Sequence, residues 1–313
     1  MSHLPTRPSG SPATSAGVVE RPLDVEGPRH NFLGLPAEAS RYETSRVVVL
    51  PVPFERTTSY GKGTAQGPEA ILHGSRQVEL YEEQLASEPW QMGIATLPPF
   101  LPESHDMGDA LAELEGECQR HLAAGKFLVT LGGEHSLTIA PVRAARAVHG
   151  ELGVVQFDAH ADLRVEYEGT RWSHASVMHR VHDEGIPALA VGIRALSREE
   201  GDLVARERKP TIWGWELPAH ERFLALLDAL PQQVYLTFDV DFFDPPLMPA
   251  TGTPVPGGGQ WQPTLDCLRE LFRRKTVVAM DVVELAPQPG AHFADFLAAS
   301  LVHKCLAYLQ AGR

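Results

Sequence analysis

Residues 152–162 read Leu-Gly-Val-Val-Gln-Phe-Asp-Ala-His-Ala-Asp, an apolar run followed by acids and a histidine at every second position. A second segment, residues 234–241, repeats this arrangement as Val-Tyr-Leu-Thr-Phe-Asp-Val-Asp. Alternate side chains of a strand point to the same side, so the polar residues behind each run converge. Carboxylates together with imidazole are typical ligands of a divalent ion. Four carboxylates carry more negative charge than one such ion usually binds, which predicts two adjacent metals. The candidate ligands are Asp158, His160, Asp162, Asp239 and Asp241.

Solvated acids at two strand ends are the competing interpretation, because Asp is common where a strand stops and a turn begins. A single Asp-x-Asp would favour that interpretation. Here both segments follow strongly apolar runs, which predicts buried strands whose acidic ends need compensation. The two segments together therefore favour a metal site.

Strand-like apolar runs alternate with helical patterns along most of the chain, and this alternation predicts the fold. It is typical of a mostly parallel sheet covered by helices on both faces. We therefore expect a single three-layer α/β/α domain. The predicted strands are residues 47–52, 127–131, 154–157, 189–193, 234–238 and 277–283.

The helices between these strands are predicted from their periods and their ends. Residues 109–124 place Leu111, Leu114, Cys118 and Leu122 on one stripe, and Gly125 follows as a typical terminator. Pro218 and Pro263 lie near the starts of two further helices, where a missing amide donor costs little. The last helix is expected at about residues 294–309, inside one catalytic domain of residues 31–313. Residues 1–30, rich in Pro, Ser, Gly and Thr, predict a disordered N-terminal arm.

Composition narrows the class of protein. The formal net charge is −13, which argues against partners such as nucleic acid or anionic membranes and weakly favours a cationic substrate. Three widely spaced cysteines suggest neither a disulfide framework nor a zinc motif. The N-terminus lacks the apolar core of a signal peptide, and no apolar run is long enough to span a membrane. We therefore expect a cytoplasmic enzyme.

A third segment adds a sixth ligand. Residues 131–136 read Leu-Gly-Gly-Glu-His-Ser and follow a predicted strand. The glycines permit a tight turn, Ser136 can cap the next helix, and His135 would project over the same sheet edge as the acids. Alone, His135 would be an ordinary loop histidine. Together with the two acidic segments, it is a candidate ligand.

These segments are similar to the metal motifs of the ureohydrolases, the family of arginase, agmatinase and related guanidino hydrolases. Gly132-Gly-Glu-His-Ser136, Asp158-Ala-His-Ala-Asp162 and Phe238-Asp-Val-Asp-Phe-Phe-Asp-Pro245 stand in the family's order. The resemblance covers about residue 32 to the C-terminus and implies an arginase-like fold, two Mn²⁺ ions per subunit and a homotrimer or homohexamer. It implies one ion on His135, Asp158, Asp162 and Asp239, and the other on Asp158, His160, Asp239 and Asp241. Ligand type does not decide between Mn²⁺ and Ni²⁺, Co²⁺ or Zn²⁺.

The same resemblance implies roles in catalysis. Asp162 would hold the attacking hydroxide, and His174, in Trp172-Ser-His-Ala-Ser176, matches the histidine that carries a proton to the leaving amine. Glu284, behind the run 277–283, matches the carboxylate that pairs with the substrate guanidinium. Thr253, in a loop resembling the family's loop below the site, is expected to touch the guanidinium or support Glu284, and a rigid turn is the alternative. Glu284, Thr253 and His174 are thus the expected substrate contacts.

Three nearby side chains receive no catalytic role from the sequence. His179 and His182 would share one face of a helix, which predicts a partly exposed surface pair. Asp281 is out of phase with Glu284, since their spacing is not that of alternate strand positions, and it is expected to be structural.

The substrate is predicted from departures from the arginase pattern. Arginases recognise α-amino and α-carboxylate groups through polar residues soon after the Asp-x-His-x-Asp motif and through an Asp behind a Gly-Leu-Arg strand end. Here residues 163–171 read Leu-Arg-Val-Glu-Tyr-Glu-Gly-Thr-Arg and residues 192–197 read Gly-Ile-Arg-Ala-Leu-Ser, without that Asp. The resemblance therefore favours an agmatinase, which hydrolyses agmatine to putrescine and urea in polyamine biosynthesis.

Other substrates and other classes of protein stay open at this stage. The alternative substrates are guanidinobutyrate, aminopropylagmatine, formiminoglutamate and arginine. Glu166 and Glu168 could meet a distal ammonium, although solvated loop acids are the competing interpretation. A non-catalytic metal-stabilised scaffold and a one-zinc deacetylase-like enzyme are the alternatives from other classes. The full set of six ligands with His174 and Glu284 favours a two-metal enzyme over both.

Overall fold

Eight parallel strands form the centre of the fold in the computed structural model, which describes residues 31–312. The predicted N-terminal arm, residues 1–30, lies outside the described residues. The strands are β1 Val47–Val52, β2 Ile94–Thr96, β3 Phe127–Gly132, β4 Gly153–Phe157, β5 Ala188–Ile193, β6 Thr211–Trp213, β7 Gln233–Asp239 and β8 Thr276–Val283.

The last two strands of the chain lie in the middle of the sheet, whose order is β2-β1-β3-β8-β7-β4-β5-β6. Phe157 of β4 is in register with Phe238 of β7, so the acids that follow them, Asp158 and Asp239, leave the sheet side by side. On its other side, β7 pairs with β8, which pairs with β3. The carboxyl ends of β3, β8, β7 and β4 therefore form one continuous edge, which is where parallel sheets collect their ligands.

Helices cover both faces of the sheet, because successive strand residues point into two different apolar cores. In β1, Val47 and Val49 pack into one core, while Val48 and Leu50 pack into the other. Helices α1, α6, α7 and α8 bury their apolar residues in the first core, and α2, α3 and α4 in the second. The helices are α1 Gly67–Ser75, α2 Met107–Ala123, α3 Ile139–His149, α4 Val177–Asp183, α5 Arg198–Glu207, α6 His220–Asp228, α7 Trp261–Arg274 and α8 His292–Ala311.

The predicted three-layer α/β/α fold with a parallel sheet is confirmed. All six predicted strands are present and differ from the observed ones by at most one residue at an end. β2 and β6 were not predicted, because each has only three residues and lies at an edge of the sheet, too short for a hydrophobic pattern. Both edge strands lie away from the ligand-bearing centre.

The helix predictions differ from the structure mainly at the helix ends. α2 begins at Met107, two residues earlier than predicted, because the side chain of Asp106 caps it by accepting the N–H of Asp109 at 3.0 Å. α8 extends two residues beyond the prediction at each end. Among the helices within residues 31–312, none combines the length and the apolar character that crossing a membrane requires.

Candidate metal centre

The loop behind β3 brings His135 to the middle of the sheet edge. A Cβ atom at Gly133 would clash with the carbonyl oxygen of Phe54, so only glycine lets the loop pass this close to the chain leaving β1. The N–H of Glu134 donates to the same carbonyl at 2.8 Å. His135 follows in a short 3₁₀ turn, and its side chain is buried.

A first group of metal-type atoms surrounds this histidine. The Nδ1 atom of His135 lies 3.1 Å from Asp158 Oδ2, 3.1 Å from Asp162 Oδ2 and 3.5 Å from Asp239 Oδ2. All four side chains are buried. His135, Asp158 and Asp162 each offer a ligand atom within 4.8 Å of the others, so they could hold one metal ion.

A second group shares Asp158 with the first. The Nδ1 atom of His160 lies 2.8 Å from Asp241 Oδ2 and 3.7 Å from Asp158 Oδ1. Asp158, His160 and Asp241 offer ligand atoms within 4.8 Å of one another. Asp158 therefore contributes one carboxylate oxygen to each group. The six side chains selected from the sequence meet at one edge of the sheet.

Backbone donors fix the orientation of these carboxylates. Asp158 Oδ1 accepts the N–H of His160 at 2.6 Å, and Asp239 Oδ1 accepts the N–H of Asp241 at 2.8 Å. Each Asp thus closes a tight turn with the ligand two residues later, which is a common use of Asp behind a strand. Asp162 has a positive φ of 52°, and its carbonyl accepts the N–H of Met178 at 3.0 Å. This turn ties the metal-type acids to the start of α4.

The hydrogen bonds around His135 decide which of its nitrogens is free. Nε2 lies 2.8 Å from Thr237 Oγ1, and that hydroxyl donates its only proton to Asp281 Oδ1 at 2.7 Å. Nε2 must therefore carry a proton, and Nδ1, the other ring nitrogen, faces the carboxylates. Neither His135 Nδ1 nor Asp241 Oδ2 has a hydrogen-bond partner among the described residues. Without a proton or a metal ion between them, Nδ1 and the carboxylate oxygens would present lone pairs to one another in a buried site, which is unfavourable, so this donor set fits divalent metal ions.

Burial and the crowding of negative charge in this site raise the pKa values of two of the acids. Burial, together with the charge of Asp158, raises the pKa of Asp162 to about 7. Burial also raises the pKa of Asp239 well above its usual value, and the charges of Asp241 and Asp158 act in the same direction. These side chains alone do not balance their charges, whereas bound cations would.

Glu284 lies beside the metal-type groups. It follows β8 with a positive φ of 65°, and its Oε1 accepts the N–H of His135 at 2.7 Å. Burial raises the pKa of its carboxyl well above the usual value. Thr253 is half-buried in a loop that is held against the chain behind Glu284, where the N–H of Ala286 donates to Ala250 at 2.9 Å.

His174 lies at the same edge, outside both metal-type groups. Its backbone N–H donates to Thr57 Oγ1 at 3.0 Å, and its Nδ1 lies 3.3 Å from the same oxygen. Its Nε2 lies 3.4 Å from Ser59 Oγ, and the ring of Tyr167 meets it edge-on with centroids 6.0 Å apart. Burial lowers the pKa of His174, while the charge of Glu134 acts in the opposite direction. The imidazole is therefore biased toward its neutral form.

His179 and His182 are held away from the metal-type groups. The Nδ1 of His179 lies 2.8 Å from the carbonyl oxygen of Leu163, and the Nδ1 of His182 lies 2.8 Å from Lys209 Nζ. Their rings meet edge-on with centroids 5.8 Å apart, so they share a face as expected. Both are half-buried and bonded to protein atoms.

Four side chains support His135 and His174 through contacts that the sequence does not predict. Two of them are the threonines bonded to the histidines described above. The other two are buried carboxylates that accept from those threonines, and Asp281 has the structural role expected from the sequence, although its partners were not predicted. The sequence feature that points to one of them is the acid within the Gly-Gly-Glu-His motif. The four are Thr57, Glu134, Thr237 and Asp281.

Comparisons with known proteins agree with this geometry. A family model for the arginase family matches residues 45–307. A relative from Synechocystis sp., named N(1)-aminopropylagmatine ureohydrolase, is 40% identical over 292 residues, covering 91% of this chain and 95% of the relative. An agmatinase from Pyrococcus horikoshii is 33% identical over 257 residues, covering 82% of this chain and 89% of that protein. The solved agmatine ureohydrolase of Thermoplasma volcanium aligns with a TM-score of 0.81 at 29% identity, covering 90% of this chain and 94% of that one.

Proposed function

Because the chain belongs to the arginase family of ureohydrolases, which hydrolyse guanidino C–N bonds, we propose that its substrate is N(1)-aminopropylagmatine, with agmatine as the second candidate. Urea is one product, and the other is a triamine or, from agmatine, the diamine putrescine. The observation that carries the reaction is the buried pair of His/Asp groups that share Asp158. These imidazole nitrogens and carboxylate oxygens are the ligand types that divalent cations take in proteins.

We assign two Mn²⁺ ions to this centre. Divalent ions bound here would lower the pKa of water and so supply a nucleophile for the guanidinium carbon near neutral pH. Asp158 and Asp239 would be central to holding the ions, and their carboxylates are oriented by the N–H groups of His160 and Asp241. The proposed ligands are His135, Asp158, His160, Asp162, Asp239 and Asp241.

The chain's other side chains bind the substrate and move its protons. Glu284 would pair with the planar guanidinium, since its carboxylate is held beside the metal-type groups by the N–H of His135. Asp162 would accept a hydrogen bond from the attacking water. His174 would carry a proton to the amine nitrogen as the C–N bond breaks, because an amine leaves poorly as an anion. Thr253 would support the guanidinium from the loop held behind Glu284.

The loop at residues 163–171 supports the choice of a long cationic substrate. Tyr167 lies against His174, which places this loop at the rim of the site. Glu166 and Glu168 flank Tyr167, and both are exposed. Aminopropylagmatine is longer than agmatine and carries one more ammonium group, which could pair with the carboxylate of Glu166 or Glu168. Relatives named for aminopropylagmatine from Synechocystis sp. and Thermus thermophilus are 40% to 41% identical to this chain over 87% or more of its length. A relative of the same name from Thermococcus kodakarensis is 33% identical over 78% of the chain, the same identity as the agmatinase of P. horikoshii.

A urea-release assay with Mn²⁺ tests the substrate. We expect kcat/KM for aminopropylagmatine to exceed that for agmatine by about 2- to 5-fold, the value of one partly exposed ion pair. The double variant Glu166→Gln with Glu168→Gln should remove that preference and leave kcat for agmatine unchanged. Arginine as the best substrate would contradict the proposal. Metal-loaded protein that releases no urea from aminopropylagmatine, agmatine, arginine or guanidinobutyrate would favour the scaffold alternative.

We further propose that the enzyme is a cytoplasmic homotrimer or homohexamer serving polyamine biosynthesis. The resemblance to the family supports the oligomer, and the cationic products support the pathway. Light scattering of the metal-loaded protein measures the oligomeric state, and a monomeric mass would contradict this part of the proposal.

A further inference from the structure

Glu134 is a fully buried carboxylate that lies next to a proposed ligand in sequence but belongs to neither metal-type group. Its Oε2 accepts the N–H groups of Arg56 and Thr57, both at 2.6 Å. Its Oε1 accepts the hydroxyl of Thr57 at 2.7 Å and also that of Ser136. Four donors thus use the whole carboxylate, and three of them hold the loop that faces His174.

Thr57 has one hydroxyl proton, and the hydroxyl donates it in a hydrogen bond to the Glu134 carboxylate. A carboxylate offers only acceptors, and a hydrogen bond to it is charge-assisted, so Thr57 donates to Glu134. Toward His174, the Thr57 oxygen can therefore only accept. It accepts the backbone N–H of His174 at 3.0 Å and lies 3.3 Å from Nδ1 of the ring. A proton on Nδ1 satisfies this contact, whereas a lone pair there would face the lone pair of Thr57. Ser173 Oγ also lies 3.4 Å from Nδ1 and can accept from the same proton.

We propose that Glu134, acting through Thr57, is a positioning residue that holds His174 as the Nδ1-protonated tautomer and leaves Nε2 as the atom that takes up and delivers the proton. Nε2 faces Ser59 Oγ at 3.4 Å, on the exposed side of the ring. The inference rests on the proposed role of His174 as the proton carrier. Under this inference, Nε2 is the nitrogen that transfers the proton, and Thr57 with Glu134 holds the ring in the required tautomer.

Glu134→Gln tests the direction of these hydrogen bonds. An amide that replaces the carboxylate can donate to Thr57, which frees the Thr57 proton for Nδ1 and moves the ring proton to Nε2. In a serine protease, the same acid-to-amide change behind a histidine lowered kcat by about 10⁴-fold through the wrong tautomer. Because Thr57 stands between the two groups here, we expect kcat to fall by roughly 10²-fold or more, with KM and metal content near those of the parent enzyme.

Glu55→Gln is the matched control. Glu55 also buttresses this loop, accepting the N–H of Gly63 at 2.9 Å and of Ala65 at 3.0 Å, but no contact joins it to His174 among the described residues. We expect its kcat to stay within about 3-fold of the parent, a change of less than 1 kcal/mol. Equal losses in Glu55→Gln and Glu134→Gln would mean that the carboxylates only stiffen the loop, which would overturn the proposal.

Thr57→Val and Thr57→Ser separate the hydroxyl from the shape of the side chain. Valine should lower kcat with little change in KM, and serine should restore most of that loss. A valine variant with parental kcat, alongside an inactive His174→Ala, would overturn the inference while leaving His174 its role. An active His174→Ala would instead remove His174 from the proposed mechanism.

A spectroscopic readout does not depend on turnover. In protein labelled with ¹⁵N-histidine and loaded with diamagnetic Zn²⁺, the His174 signals are those lost in His174→Ala. We expect Nδ1 to carry the proton in the parent and in Thr57→Ser, and Nε2 to carry it in Glu134→Gln. An Nε2-protonated parent would overturn the proposal.

Discussion

Two histidines of the site are each backed by a threonine and then by a buried carboxylate, yet the two networks are built differently. The strand network is anchored in neighbouring strands of the sheet, and the loop network joins three loops. The strand network comprises His135, Thr237 and Asp281, and the loop network comprises His174, Thr57 and Glu134.

The strand network is the shorter and the more constrained of the two. Thr237 in β7 and Asp281 in β8 are register partners, and hydroxyls of Thr138 and Tyr235 also donate to Asp281, each at 2.8 Å. The contact between histidine and threonine is 2.8 Å here, against 3.3 Å in the loop network. Neighbouring strands thus fix one imidazole rigidly, which suits a metal ligand.

The atom opposite each threonine decides the role of each histidine. In the strand network, the free nitrogen of His135 faces carboxylates of Asp158, Asp162 and Asp239. In the loop network, Nε2 of His174 faces a serine hydroxyl on the exposed side. Similar residue types are therefore proposed to hold a metal in one place and to pass a proton in the other.

Replacing each histidine by alanine should have different consequences for metal content and turnover, and these are the largest effects that we expect. We expect His135→Ala to lose both bound metal and urea release, because the lone pair that faces the carboxylates is gone. His174→Ala should keep two metals per chain and lose roughly 10²- to 10⁴-fold in kcat, the usual contribution of a positioned proton donor. Elemental analysis and a urea assay on the same preparations measure both quantities. Loss of metal from His174→Ala would break the comparison.

The sequence predicted the metal-type residues because their signal is local. Asp158, His160 and Asp162 alternate directly behind an apolar run, and the period of a strand is enough to place them on one side. Glu134 and Thr57 carry no such signal, since they are 77 residues apart and meet only after two loops have packed together. A threonine and an acid in loops are too common to stand out.

The order of the strands in the sheet was not predicted from the sequence either. Asp281 was expected to be structural because it is out of phase with Glu284 along β8. Its partner lies on another strand, and only the placement of β8 beside β7 brings it next to Thr237. Local periodicity predicts which residues share a face of one strand, but it does not determine which strands become neighbours.

Thr237→Val should affect metal binding where Thr57→Val does not. Without the hydroxyl, His135 loses the acceptor that orients it, and such outer contacts typically change metal affinity by about 10- to 100-fold. We expect Mn²⁺ affinity, measured by calorimetry, to fall by this amount and turnover to recover at saturating metal. Thr237→Ser keeps the hydroxyl and should bind metal like the parent. Equal metal affinities in the two valine variants would remove the distinction between the networks.

Tyr235→Phe should produce the smallest effect, a loss in the free energy of unfolding that reports on the charge of Asp281 in the strand network. Tyr235 donates to the buried carboxylate of Asp281, and hydrogen bonds to charged groups contribute about 1.5 to 3 kcal/mol. Tyr42→Phe removes a bond of the same length, 2.8 Å, to the imidazole of His121, where a neutral bond contributes about 1 kcal/mol. Denaturant unfolding of the metal-free proteins should therefore show the larger loss of free energy of unfolding in Tyr235→Phe. Equal losses would mean that Asp281 is not held as a charged anchor behind His135, because the bond to it would be worth no more than a neutral one.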